Sequence, residues 1–179
     1  MTFRAVHKKV ALIVLPVLAV SALTGLVFRI GRQWFGMTEA TGLTVRAIHE
    51  GKYLGEALNP IYVLAAGLGL LMLIGTGITM VRRRRGAVPS RRRARPLHRL
   101  VAIAVALPLT ASAVTGIGFR LSQSWFGWTK EQAQWLLDIH QGTLLFGSDY
   151  RAYYVLFIGV GLLTLVVTGA RMLGLLGRR

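Results

Sequence analysis

Four histidines are the residues of this chain best suited to bind a metal, and they fall into a pattern. His7 and His98 are 91 residues apart, and so are His49 and His140. The same offset of 91 joins Gly25 to Gly116, Arg29 to Arg120, Trp34 to Trp125 and Gly36 to Gly127. After one inserted residue the offset becomes 92 and joins Tyr62 to Tyr154, Gly67 to Gly159, Gly69 to Gly161, Thr76 to Thr168 and Gly77 to Gly169. The chain is a tandem duplication in which every histidine has a repeat mate. A neutral imidazole offers one lone pair, so each pair offers a metal two ligands.

The elements that carry these pairs are apolar. Of the 179 residues 54% are hydrophobic, and four segments are long enough to cross a bilayer. The spans are expected at about residues 7–29, 61–81, 97–120 and 152–173. Pro16 and Pro108 lie inside the first and third, where they are expected to kink the helix. The first run has a repeat partner inside the chain and no small-residue cleavage site, so it reads as a retained span. Between the spans of each repeat, an aromatic turn (31–36, and Trp125 to Trp128) is followed by an amphipathic helix. These helices are expected at about 38–54 and 129–146, carrying His49 and His140. Thr38 is a candidate helix cap, and Thr129 with Gln132 fits a capping box. The repeats are then 1–81 and 96–179, joined by a basic linker over 82–95. The fold class is an all-α membrane protein: four transmembrane helices from a duplicated two-span unit, with parallel repeats related by an axis along the membrane normal.

The net charge of +16 is distributed as a membrane protein distributes it. Fifteen of the 22 Lys and Arg lie at the N-terminus, between Arg82 and Arg99, or at the C-terminus, and all six acidic residues lie in the other two connections. The positive-inside pattern places both termini and the linker in the cytoplasm. The linker suits contact with anionic lipid headgroups. Nucleic acid is not an expected partner.

Depth pairs His7 with His98 on the inner side and His49 with His140 on the outer side. The repeat axis brings each pair together at the bundle centre. Two imidazoles on opposite faces of one iron describe a six-coordinate b-type haem, with no open position for oxygen and suited to electron transfer. Zinc normally takes three or four protein ligands. With no cysteine in the chain, disulfides, c-type attachment and thiolate-held clusters are excluded. At about 100° per residue, Ser21, Gly25 and Arg29 fall on the face of the first span that carries His7. Ser112, Gly116 and Arg120 fall likewise relative to His98. Gly25 and Gly116 are expected to make room for an outer haem, and Arg29 and Arg120 to pair with its propionates. Gly77 and Gly169, with Thr76 and Thr168, lie at the depth of His7 and His98 and are expected to make room for an inner one. Plain small-residue packing between membrane helices is the alternative, and it suits Gly67, Gly69, Gly159 and Gly161 best. For the arginines the alternative is headgroup contact.

The sequence also resembles a known family. Leu97-His98-Arg99, then Thr115-Gly116, Ile139-His140-Gln141-Gly142 and Thr168-Gly169 resemble the PepSY-associated transmembrane family. The first repeat matches with His7, Thr24-Gly25, His49-Glu50-Gly51 and Thr76-Gly77. The resemblance implies a bacterial inner-membrane protein with two histidine-ligated b haems and transmembrane electron transfer, similar to di-haem ferric or ferric-siderophore reductases. Expected donors are a quinol or a cytoplasmic reductase; expected acceptors are ferric iron, a chelate or a redox protein. Larger members carry PepSY domains in the outer loop, whereas the outer connections here are only about 30 residues each. There is no Gly-rich dinucleotide motif. The chain reads as a minimal haem-carrying core. The alternative is a structural or assembly subunit of a respiratory or photosynthetic complex, in a thylakoid if the source is photosynthetic, with histidines that bind chlorophyll or nothing.

Overall fold

A computed structural model describes residues 2–82 and 94–176. Six helices follow in order: α1 (Phe3–Trp34), α2 (Glu39–Glu50), α3 (Asn59–Arg82), α4 (Ala94–Trp125), α5 (Lys130–His140) and α6 (Thr143–Leu173). Among the described residues there is no strand. α1, α3, α4 and α6 are each long and apolar enough to cross a membrane. Their outward faces carry exposed large side chains such as Ile13 and Leu107. A bundle immersed in lipid has no reason to hide them. The chain is a multi-pass membrane protein.

Local chemistry sets the boundaries. Thr38 caps α2 by accepting from the Thr41 amide at 3.3 Å. Thr129 and Gln132 form the expected reciprocal box, at 3.3 and 2.9 Å. Pro60 sits in the first turn of α3, where its missing N–H would have no partner anyway. Pro16 and Pro108 lie within helices that continue past them.

Several boundaries differ from those expected. α1 and α4 run on through Arg29 and Arg120 to Trp34 and Trp125. Polar residues in the headgroup zone do not end a helix. The turns come only where Gly36 and Gly127 take positive φ of 59° and 67°. The short helices end at Glu50 and His140, earlier than 54 and 146, because Gly51 and Gly142 turn left-handed at φ 70° and 74°. A 3-10 turn over Lys52–Leu54 follows α2. In the second repeat α6 begins at Thr143 and is interrupted at Gly147. The basic linker lies, apart from its ends, outside the described residues.

The four long helices form a ring in which α1 packs on α3 and α6, and α4 packs on the same two. α1 and α4, repeat mates, are therefore diagonal across the bundle. α2 lies on α1, while α5 lies on α4 and α6. Glycines let the ring close with matching contacts. A Cβ on Gly69 would meet Val14 at 2.5 Å, and its mate Gly161 would meet Val105 at 2.6 Å. Gly67 meets Ile117, and its mate Gly159 meets Leu26, as closely. These four glycines do the packing work expected of them. Leu18, Leu70 and Ala113 form one buried cluster, and Val105, Leu109 and Ile158 another.

Candidate functional site

The two histidine pairs occupy opposite ends of the ring. His7 and His98 lie at the end that holds the first residues and the α3–α4 connection, here the terminal end. His49 and His140 lie at the other, the loop end.

At the loop end α2 lays His49 against α1. The Nδ1–H donates to the Ser21 carbonyl at 2.9 Å. In the second repeat His140 donates to the Ser112 carbonyl at 2.8 Å. A carbonyl only accepts, so the proton must sit on Nδ1 and the Nε2 lone pair is left bare. The rings are seated on glycine. A Cβ on Gly25 would stand 3.1 Å from His49 Cε1, and one on Gly116 3.1 Å from His140 Cε1. The space that Gly25 and Gly116 leave is taken up by the imidazoles.

At the terminal end the partner is a hydroxyl. His7 Nδ1 lies 2.8 Å from Thr76 Oγ1, and His98 Nδ1 lies 2.7 Å from Thr168 Oγ1. Each hydroxyl spends its own proton on a carbonyl of the preceding turn, Met72 for Thr76 and Thr164 for Thr168, both at 2.6 Å. The oxygen can then only accept, and His7 and His98 take the same tautomer as the loop pair. A Cβ on Gly77 would stand 3.8 Å from His7 Cε1, and one on Gly169 the same distance from His98 Cε1. These glycines flank the terminal pair, as their depth implies, but a methyl group there is an ordinary contact.

Within each end the two histidines lie close enough for their charges to interact. His98 feels the charge of His7, and His140 that of His49. Among the described residues no three His, Cys, Asp or Glu form a cluster able to hold a metal ion. No Nε2 of the four has a hydrogen-bond partner among the described residues. The one fully buried side-chain N or O without a partner among the described residues is Thr143 Oγ1, so none of the bare Nε2 atoms is wholly sealed off. Burial pushes the His49 pKa down, against the Ser21 carbonyl and Glu50, which raise it. Burial and then His49 hold His140 down at about 4. Both are neutral lone-pair donors at neutral pH.

The two arginines cross between repeats. Arg120 of the second donates to Glu50 of the first at 2.6 Å. Arg29 of the first donates to Gln141 of the second. Glu50 also meets Arg46 at 2.5 Å and Lys52 at 3.0 Å. Burial alone would raise the Glu50 carboxyl, but hydrogen bonds and charge from Arg46, Lys52 and Arg120 hold it at about 2. The guanidinium of Arg120, expected to meet a propionate, already has a carboxylate partner within the chain.

The family model of the PepSY-associated TM region matches residues 36–134, more than half of the chain. The chain belongs to the PepSY-associated TM family. The match takes in His49, Gly77, His98, Gly116 and Arg120. Their mates in this family member are related to them by the internal repeat. No curated protein and no solved structure matches the chain.

Two roles escaped the sequence. Thr76 and Thr168 read as small residues leaving room, whereas their hydroxyls set the histidine tautomers. Glu50 was part of a motif without a function of its own. Its place next to His49, and its substitution by Gln141 in the second repeat, was the available signal.

Proposed function

We propose that this PepSY-associated protein is a di-haem b-type membrane cytochrome that carries electrons across the membrane. One observation carries the reading: all four histidines commit Nδ1 to an acceptor and leave Nε2 bare, in two pairs at the two ends of the bundle. Histidine ligands of metals characteristically donate their other N–H in this way, which fixes ring orientation and raises ligand basicity. His7 and His98 would hold one haem, and His49 and His140 the other. A two-imidazole donor set fits a porphyrin iron and falls short of a zinc site.

Bound haem supplies a one-electron carrier. The chain's own residues do the rest. Thr76 and Thr168 orient the terminal imidazoles; the carbonyls of Ser21 and Ser112 orient the loop pair. The apolar ring keeps water from the interior. Fourteen residues separate His7 from Ser21 on α1, about 21 Å at 1.5 Å per residue, a separation that supports one pair in each half of a membrane. The charge pattern supports a cytoplasmic terminal end, in keeping with a bacterial inner membrane. A quinol or cytoplasmic reductase would give electrons, and ferric iron, a chelate or a redox protein would accept them, as in a ferric reductase.

The test is a dithionite-reduced minus oxidised spectrum of the purified protein with pyridine haemochrome quantification. A b-type spectrum with two haems per chain is expected. A folded protein made under haem-replete conditions that carries no haem would overturn the proposal and leave the structural or assembly subunit as the better account.

A further inference from the structure

The repeats differ where they cross. Glu50 in the first repeat is Gln141 in the second, and Asn59 in the first is Arg151 in the second. One repeat has gained a negative charge and the other a positive one. Arg120 therefore meets the Glu50 carboxylate at 2.6 Å, whereas Arg29 meets only the Gln141 amide.

Arg29 is nonetheless buried, at 8% exposure. Arg151 is near enough for its positive charge to act on it. Arg151 is held by Gln33, whose Oε1 accepts from Arg151 Nε at 3.5 Å. Gln33 lies one turn beyond Arg29 on α1 and also donates to the Asp149 carbonyl at 3.1 Å. The Asp149 carboxylate takes the Ser148 hydroxyl at 3.2 Å. All ion pairs among the described residues are made to Glu50, so neither Arg29 nor Arg151 has a carboxylate partner. A buried guanidinium facing only an amide, with a second guanidinium nearby, is costly unless an anion is supplied. Arg29 reaches Gln141, the residue that follows His140, so an anion bound there would sit beside the loop-end histidines.

We infer that Arg29 and Arg151 form a carboxylate-binding site, and that the carboxylate is a propionate of the haem held by His49 and His140. Arg120 has no share in it, because Glu50 already neutralises that side. The ligand is then gripped on one side of the pseudo-twofold axis and takes one of two otherwise similar orientations. The inference rests on the proposed haem, but the anion site can be tested without it.

The decisive variant is Gln141→Glu, which keeps the side chain's shape and gives Arg29 an internal counter-ion. The full chain is loaded with haem or with haem dimethyl ester, whose propionates are masked. Release of the loop-end ligand to apomyoglobin is then timed, with the terminal-end haem as an internal check of folding. In the unchanged protein the ester should leave about tenfold faster than haem. In Gln141→Glu that difference should vanish, and in Arg151→Asn it should shrink. Calorimetric titration with citrate forms the second arm. Citrate binding that Gln141→Glu abolishes, with no ester penalty, would uphold the carboxylate site and give it a soluble ligand, overturning the propionate. Neither an ester penalty nor citrate binding, or both unchanged in Gln141→Glu, would overturn the site itself. If the unchanged protein takes up no haem, the proposed cytochrome fails and citrate alone decides the site.

Discussion

The two histidine pairs share one arrangement with different mountings. The terminal pair grows from the long helices themselves. His7 and His98 stand on α1 and α4 and are steadied by a hydroxyl of the neighbouring long helix. The loop pair is clipped on from short helices. His49 and His140 reach over to α1 and α4, and their acceptor is helix backbone. A side-chain acceptor can be removed by mutation and a backbone one cannot. A backbone acceptor, however, must be approached closely, which is why bare glycine is needed at Gly25 and Gly116 but not at Gly77 and Gly169. Each pair should therefore fail to a different substitution.

The largest expected effect is loss of one ligand. His98→Ala should remove the terminal haem and leave the loop haem, and His140→Ala should do the reverse. Pyridine haemochrome should fall from two haems to one in each variant. Full occupancy of both haems in either would show the pairing to be wrong.

The next test separates the mountings. Gly25→Ala or Gly116→Ala places a methyl 3.1 Å from an imidazole carbon, closer than an ordinary contact. Either should lower loop-haem occupancy by more than half while sparing the terminal haem. Gly77→Ala and Gly169→Ala add a methyl at 3.8 Å, an ordinary packing distance, and should leave both haems bound. Equal behaviour of the two glycine sets in the haem spectrum would erase the distinction between the mountings.

The converse test removes the hydroxyl. Thr168→Val keeps the shape and deletes the acceptor of His98 Nδ1. Loss of such a partner commonly costs 10- to 100-fold in metal affinity, so haem release from the terminal end should quicken on about that scale. The midpoint potential of the terminal haem should shift as well, and the loop haem should keep its own. An unmoved terminal potential would leave Thr168 a packing residue.

Much of this was legible in the sequence because it was written twice. The offset of 91 fixed which residues are equivalent before any contact was known. Helical phase put Ser21, Gly25 and Arg29 on one face, and His49 and Gln141 do meet that face. The hidden parts depend on tertiary placement. The acceptors of His49 and His140 are main-chain carbonyls, which leave no residue type to read. Thr76 looked like a small packing residue because its hydroxyl also satisfies its own helix. The turn was expected over 31–36, whereas the helix runs on to Trp34 and a glycine with positive φ turns the chain at Gly36.

The smallest effect concerns acid, and it too divides the ends. In the haem-free protein buried His140 titrates at about 4 instead of its ordinary 6.5. A group depressed in this way stabilises the fold fully above its unfolded pKa, and that contribution is lost as pH falls through the folded one. Stability from neutral His140 is thus complete above about pH 6.5 and drains away towards pH 4. Glu50, held at about 2 against an ordinary 4.5, adds a later loss from about pH 4.5 downwards. Both groups lie at the loop end, so acid should open α2 and α5 before the long helices separate. The melting temperature of the haem-free protein in detergent should fall between pH 7 and pH 4.5, and His140→Gln should flatten that slope. Hydrogen exchange at pH 4.5 should rise first in 39–50 and 130–140. Exchange that rises uniformly over all six helices would mean that the clipped-on elements have no separate stability and that the two mountings fail together.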